Sequence, residues 1–365
     1  MDQRDRLLAE KLVNYCVSVK PGDKVWLQTS DDVATPLMVE LIKAVYKAGG
    51  IPFVRVEVAT IQRSLLMECT KEQMELKFKN DFDLLREMDC SIVIRDFKNA
   101  SELSDVPDEK IKIQSMASLE MRRYRVDNMR WVLLRYPSPS IAQLAGMSEE
   151  KYADFLYRVC TMDYQTMSDN MDALVKRMEA ADQVHILGEG TDLRFSIKGI
   201  PAIKCDGKMN IPDGEVYTAP VKDSVNGYVT FNIPSLYQSK TFENIRLEFK
   251  DGKIIKATCN YEKELNDILD TDEGSRYLGE FSFGCNPLIT EATNDGSIDE
   301  KLAGSIHLTP GDSYENAPNG NHSAIHWDLV LSQTPEYGGG EIWFDGELIR
   351  KDGLFVPEDL KPLNP

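Results

Sequence analysis

Glycine is distributed unevenly along this chain of 365 residues, and that asymmetry constrains the fold more than any other feature. Six glycines precede residue 191 and seventeen follow it, and all six Asp-Gly pairs lie in the second half: Asp206-Gly207, Asp213-Gly214, Asp251-Gly252, Asp295-Gly296, Asp345-Gly346 and Asp352-Gly353. Asp-Gly between apolar runs signals a tight hairpin, because primed turns need positive φ. The second half is therefore predicted to be α+β and largely antiparallel, rich in β-strands.

The first half reads as alternating strand and helix. Lys24–Thr29 (KVWLQT) has strand composition. Pro36–Ala48 has helical apolar spacing and stops at Gly49-Gly50, and Pro52–Val58 (PFVRVEV) follows as a strand. Cys90–Arg95 and Arg130–Arg135 are two more short apolar runs. Units of this length predict an α/β N-terminal domain with a parallel or mixed sheet. Ser148–Ala181 lacks Pro and Gly and is predicted helical, carrying the chain between domains. The expected division is 1–185 and 186–365.

Composition excludes several functions. Sixty Asp+Glu against 42 Lys+Arg give a net charge of −18, which repels nucleic acid and anionic membrane surfaces. No apolar run is long enough for a transmembrane helix, and the N-terminal MDQRDRLLAEKLVNYC lacks a signal-peptide core. The seven cysteines are odd in number, widely spaced and free of CxxC, so reduced thiols in a cytoplasmic protein are expected. HExxH, GxSxG and Walker A motifs are absent. Gly188-Glu189-Gly190-Thr191 lacks the third glycine of a dinucleotide loop and reads as a hairpin, and His185 beside it reads as structural.

Three of the four histidines, His307, His322 and His326, fall within twenty residues, in a region that also holds Glu300, Asp312, Tyr314 and Asp328. Imidazole and carboxylate together ligate zinc, cobalt or manganese. Ser323–Leu331 (SAIHWDLVL) reads as a strand with His326 and Asp328 on one face, a pair that a cation would satisfy. A neutral histidine hydrogen-bonded to aspartate on a surface strand would satisfy them too. The Pro-Gly turn after His307 could return Tyr314 beside it, and a phenol there can hydrogen-bond an oxyanion. Glu215 follows an Asp-Gly turn and Glu280 opens an apolar run beside Gly279, positions that suit either ligands or solvated acids.

The segments GTDLRFSIKG, NIPDGEVYTAP, LGEFSFGCNP, DEKLAGSIHLTPGDSY and SAIHWDLVL, in that order, resemble the thermophilic-metalloprotease aminopeptidases, the family of aminopeptidase T, aminopeptidase S and PepS type. PGDKVWLQTS and RYPSPSIAQLAGMS extend the likeness over the chain. The resemblance implies a cytoplasmic homodimer with a C-terminal catalytic domain. It also implies release of N-terminal residues from short peptides with a free N-terminus, at two divalent ions (zinc, cobalt, manganese or magnesium) sharing a bridging water. By matching motifs, Glu215, Glu280, His307, His326 and Asp328 would be ligands. Glu280 would also be the carboxylate nearest the attacking water, a candidate general base, and Tyr314 would be the active-site tyrosine. His322 is an addition to the pattern and is expected to be a non-ligand. A metal hydrolase of a non-peptide amide or ester, and a noncatalytic peptide- or metal-binding protein on the same scaffold, are the competing readings.

Overall fold

The computed structural model describes residues 2–238 and 240–365. Two compact units emerge: Met1–Met162 with Gly207–Pro212, and Asp163–Asp206 with Asp213–Pro365. Residue 185 lies inside the Gln183–Gly188 strand of the second unit. The helix expected over 148–181 is two helices, Glu149–Thr161 and Tyr164–Ala180. The break is local chemistry: the Asp163 side chain accepts from Thr166 N and starts the second helix.

The first unit is an all-parallel sheet of five strands, ordered Ile51–Val56, Lys24–Thr29, Cys90–Arg95, Arg130–Arg135 and Asn210–Ile211. The helix between the first two strands in sequence spans Thr35–Lys47, close to the expected 36–48. Cys90–Arg95 is buried at five of its six positions, as a central parallel strand with covered faces must be. Asp96 ends it by accepting from Ser30, Asp31 and Ala34 backbone N–H groups at 2.8, 2.8 and 2.9 Å, which ties neighbouring strand ends together.

The second unit is antiparallel. One sheet has eight strands, ordered Lys253–Thr258, Arg246–Lys250, Asn226–Thr230, Thr191–Ser196, Gln183–Gly188, Gly340–Phe344, Glu347–Lys351 and Leu354–Phe355. A second sheet has five, ordered Leu329–Ser332, Ser305–Pro310, Leu278–Gly284, Glu215–Thr218 and Ile203–Cys205. Three Asp-Gly pairs make the expected hairpins: Asp251-Gly252, Asp345-Gly346 and Asp352-Gly353, each with both residues at positive φ. The other three do different work. Asp295-Gly296 opens a short helix, Asp213-Gly214 leads into the Glu215 strand, and Asp206-Gly207 is where the chain leaves the second unit. The Gly188–Thr191 hairpin forms as read, and His185 pairs with Asp192 at 2.8 Å.

Side-chain alternation divides the Leu278–Gly284 strand between packing and polar chemistry. Phe281 meets Phe195 of the eight-stranded sheet at 5.1 Å between ring centroids, and Phe283 meets Phe344 at 6.0 Å. Glu280 and Ser282 point to the opposite face. Cross-strand register sets Ser282 opposite both Tyr217 and His307, Gly284 opposite Glu215, and Glu280 opposite Thr309. One face of the five-stranded sheet thus collects Glu215, Tyr217, Glu280, Ser282, His307 and Thr309.

Gly279 admits the 311–312 backbone against this strand. A Cβ there would stand 2.1 Å from the Asp312 carbonyl oxygen. Gly279→Ala is therefore expected to cost about 1–3 kcal/mol by overpacking, read as a lower urea midpoint with an unchanged slope.

Candidate metal centre

Five residues scattered between positions 215 and 328 meet at one place in the second unit. Glu215 opens its strand, Glu280 and His307 sit on neighbouring strands, and His326 is bridged to Gly311. Asp328 directly precedes the Leu329–Ser332 strand. The strand expected over 323–331 therefore begins only at Leu329. The bridge His326 makes to Gly311 still turns its ring toward Asp328, with Nε2 3.4 Å from Asp328 Oδ1.

Glu280 is the centre of the arrangement. Its Oε1 lies 3.1 Å from His307 Nε2, and its Oε2 lies 3.2 Å from His326 Nε2. His307 Nε2 is also 3.5 Å from Glu215 Oε2. The donors form two sets that share Glu280: Glu215, Glu280 and His307, and Glu280, His326 and Asp328. Within each set the donor atoms lie within 4.8 Å of one another.

The outer hydrogen bonds fix the tautomers. His307 Nδ1 faces the Glu300 carbonyl at 3.3 Å, and His326 Nδ1 faces the Asp312 carbonyl at 2.9 Å. A carbonyl only accepts, so each Nδ1 carries a proton. In neutral rings, both Nε2 atoms then present lone pairs to carboxylate oxygens. His326 Nε2 is buried and makes no hydrogen bond. Acceptors facing acceptors need protons or cations between them, and this donor set suits divalent ions. Without an ion the rings take up protons. Against opposing desolvation, Glu280 above all lifts His307 to about 9, and Asp328 and Glu280 lift His326 to about 12. Asp328 is depressed by His326 against its burial, and Thr309 Oγ1 donates to it at 2.6 Å.

Tyr314 brings its ring to 4.7 Å from that of His326 and 5.3 Å from that of Tyr217. Its neighbour in the site is thus His326, where the sequence suggested His307. Desolvation and then the charges of Glu280 and Asp328 raise its pKa, keeping the phenol protonated. His322 is 88% exposed at its side chain, with Nδ1 3.6 Å from Asp312 Oδ1.

Sequence reading missed Lys301. Its fully buried ammonium lies 2.7 Å from Glu215 Oε1, 2.5 Å from Glu300 Oε1 and 3.8 Å from Asp213 Oδ1. It leaves Oε2 of Glu215 to face His307, and it supplies a cation to the third acidic grouping, Cys205, Asp213 and Glu215. Removing one partner of such a buried set costs about 3–5 kcal/mol. Nothing in the charged string Asp-Glu-Lys at 299–301 marks its lysine as buried. Glu300 beside it is pushed up to about 8, chiefly by desolvation.

The folded pKa values of His307, His326 and Glu300 are raised, so their stabilisation is complete below the unfolded values and lost as pH rises. Chelated protein should therefore lose stability between about pH 6.5 and 9, as His307 deprotonates. Added zinc should abolish that loss, because ions replace the protons. Urea midpoints across this window, with chelator and with zinc, test it; a flat profile in chelator would contradict the tautomer argument.

Residues 1–353 match the model of the thermophilic metalloprotease family (M29). The chain is 24% identical to aminopeptidase 2 of Geobacillus stearothermophilus, covering 96% of this chain and 94% of that protein. It is 26% identical to aminopeptidase AmpS of Bacillus subtilis over 76% of each chain. Aminopeptidase T of Thermus aquaticus is 26% identical over 70% of this chain and 71% of its own. Among solved structures, wild-type AmpT from Thermus thermophilus superposes with a TM-score of 0.80 at 20% identity, covering 97% of this chain and 99% of that one, which shows a shared fold. Among the described residues no helix is long and apolar enough to cross a membrane, and no two cysteines are joined in a disulfide. On the match over nearly its whole length, the chain belongs to the thermophilic metalloprotease family.

Proposed function

We propose that the protein is a metal-dependent aminopeptidase that releases N-terminal residues from short peptides. The observation that carries this reading is the Glu280 carboxylate, flanked by two three-residue donor sets. One ion would be held by Glu215, Glu280 and His307, the other by Glu280, His326 and Asp328. Such an ion pair supplies an acidified shared water and polarises the scissile carbonyl. Glu215, Glu280 and Asp328 would offset three of the four positive charges of two divalent ions. Zinc, cobalt, manganese and magnesium all suit the mixed oxygen and imidazole set.

The chain's own residues supply the rest. Asp312 and Glu300 carbonyls hold the imidazoles in register. Thr309 orients Asp328, and Lys301 orients Glu215. Glu280, shared by both donor sets, would be the carboxylate nearest the attacking water and would take its proton. Glu300, raised toward neutrality beside the same cluster, is a second group suited to that proton. Tyr314, protonated and packed on His326, would donate to the tetrahedral oxyanion. The acidic surroundings suit a substrate's free ammonium. The same reading includes a cytoplasmic homodimer in which the partner helps enclose the site.

Peptide hydrolysis should vanish on chelation and return with divalent ions. N-acetylation of the substrate should abolish cleavage; equal turnover of acetylated and free peptides would instead favour a general amide hydrolase. Tyr314→Phe should retain its metal while kcat falls about 10²-fold, in the range for loss of one oxyanion donor. Normal turnover in that variant would remove Tyr314 from the mechanism.

A further inference from the structure

The first unit contains a cavity of about 480 Å³ that peptide hydrolysis does not employ. Gln28 and Ser30 line it at the carboxyl-terminal end of the Lys24–Thr29 strand, and Arg95 lines it at the same end of Cys90–Arg95. Arg122 and Arg125 reach it from the Leu119–Asn128 helix. Open parallel sheets bind ligands at this edge, and the volume falls in the range of small-molecule sites.

Its charge is unbalanced. The Arg95 guanidinium is exposed to solvent at the cavity and makes no side-chain hydrogen bond or close ion pair among the described residues, Glu57 acting on it only at longer range. Arg125 donates from Nη2 to Gln28 Oε1 at 3.2 Å, an oxygen that already accepts from Trp26 Nε1 at 3.0 Å. Its Nε is buried without a partner. Desolvation and then the charge of Arg95 lower Arg125 to about 10. The two lining carboxylates are engaged elsewhere: Glu57 faces Arg55 and Lys77 at 4.0 and 3.7 Å, and Glu102 accepts from Asn99 at 3.2 Å. A buried guanidinium nitrogen without a partner, as at Arg125 Nε, is unfavourable, so packing alone gives no reason to keep it there.

We propose that this cavity binds a small organic carboxylate, its charge held by Arg95 and Arg125 and its body lying against Phe78, Phe97 and Met121. A planar guanidinium matches a carboxylate edge to edge. Glu57 and Glu102 in the wall disfavour a phosphate dianion. The site goes beyond the peptidase reading and lies wholly within residues 28–125.

The test is calorimetric titration of the full-length protein with N-acetyl-phenylalanine, whose blocked amine makes it neither substrate nor product of an aminopeptidase. Its carboxamide and inorganic phosphate serve as comparators. One saturable site per chain is expected, with the carboxamide silent and phosphate weaker. Arg95→Gln and Arg125→Gln should each weaken binding about tenfold or more, the loss typical of a charged hydrogen bond. Arg125→Gln should keep or raise the thermal midpoint, since it removes a buried unpartnered nitrogen, and Arg95→Gln, at an exposed position, should leave it unchanged; arginines kept only for structure would lower it. No binding, equal binding of the carboxamide, tighter binding of phosphate, or unchanged affinity in both variants would overturn the proposal. Unchanged affinity would also be the mark of a carboxylate sitting on the metal centre, so the outcome separates this site from the peptidase reading.

Discussion

The Glu280 carboxylate between two imidazole nitrogens is the constraint around which the second unit is organised. Each histidine spends its Nδ1 proton on a backbone carbonyl, so its other nitrogen must meet negative oxygen with a proton or a cation between them. Glu215 and Asp328 extend that acceptor array on either side. Much of what surrounds it keeps the array in place: Thr309 on Asp328, Lys301 on Glu215, and the bare Gly279 that lets the 311–312 segment close on the strand. Such an array is unfavourable by itself and becomes favourable through what it binds.

Its cost is borne by the other face of the same strand. Phe281 and Phe283 are fully buried against rings of the eight-stranded sheet. Burial of an aromatic side chain contributes about 1.5–3 kcal/mol, and such pairs add roughly another 0.5–1.5 kcal/mol. A period of two lets consecutive residues serve opposite ends, with Phe281 and Phe283 securing the sandwich while Glu280 and Ser282 face the polar cluster. The Glu215 and His307 strands follow the same rule, Val216 and Ile306 being buried beside their polar neighbours.

Much of this was legible in the residues. The four longer strands of the parallel sheet stand out as apolar runs because each is flanked by polar breaks, and the fifth, Asn210–Ile211, is too short to leave a pattern. Asp-Gly marked hairpins where apolar strands flank it, as at Asp345-Gly346. It misled at Asp295-Gly296, where the aspartate caps a helical turn. His326 and Asp328 do converge, yet through a loop and a single bridge, since tertiary contact with Gly311 replaced the regular ladder that β-propensity suggested. The break at Asp163 lay hidden in a helical-looking stretch, because one capping side chain outweighs weak propensities. Lys301 and the arginines of the first unit were invisible for a shared reason. Their importance comes from surroundings that long-range packing creates and local composition does not record: buried carboxylates around Lys301, and a buried, unpartnered nitrogen at Arg125.

In the proposed mechanism Glu280 would serve two cations at once. Anomalous diffraction from crystals of the zinc-loaded protein measures this directly. Two peaks are expected, one between Glu280, Glu215 and His307 and the other between Glu280, His326 and Asp328. A single peak, or peaks remote from Glu280, would contradict it.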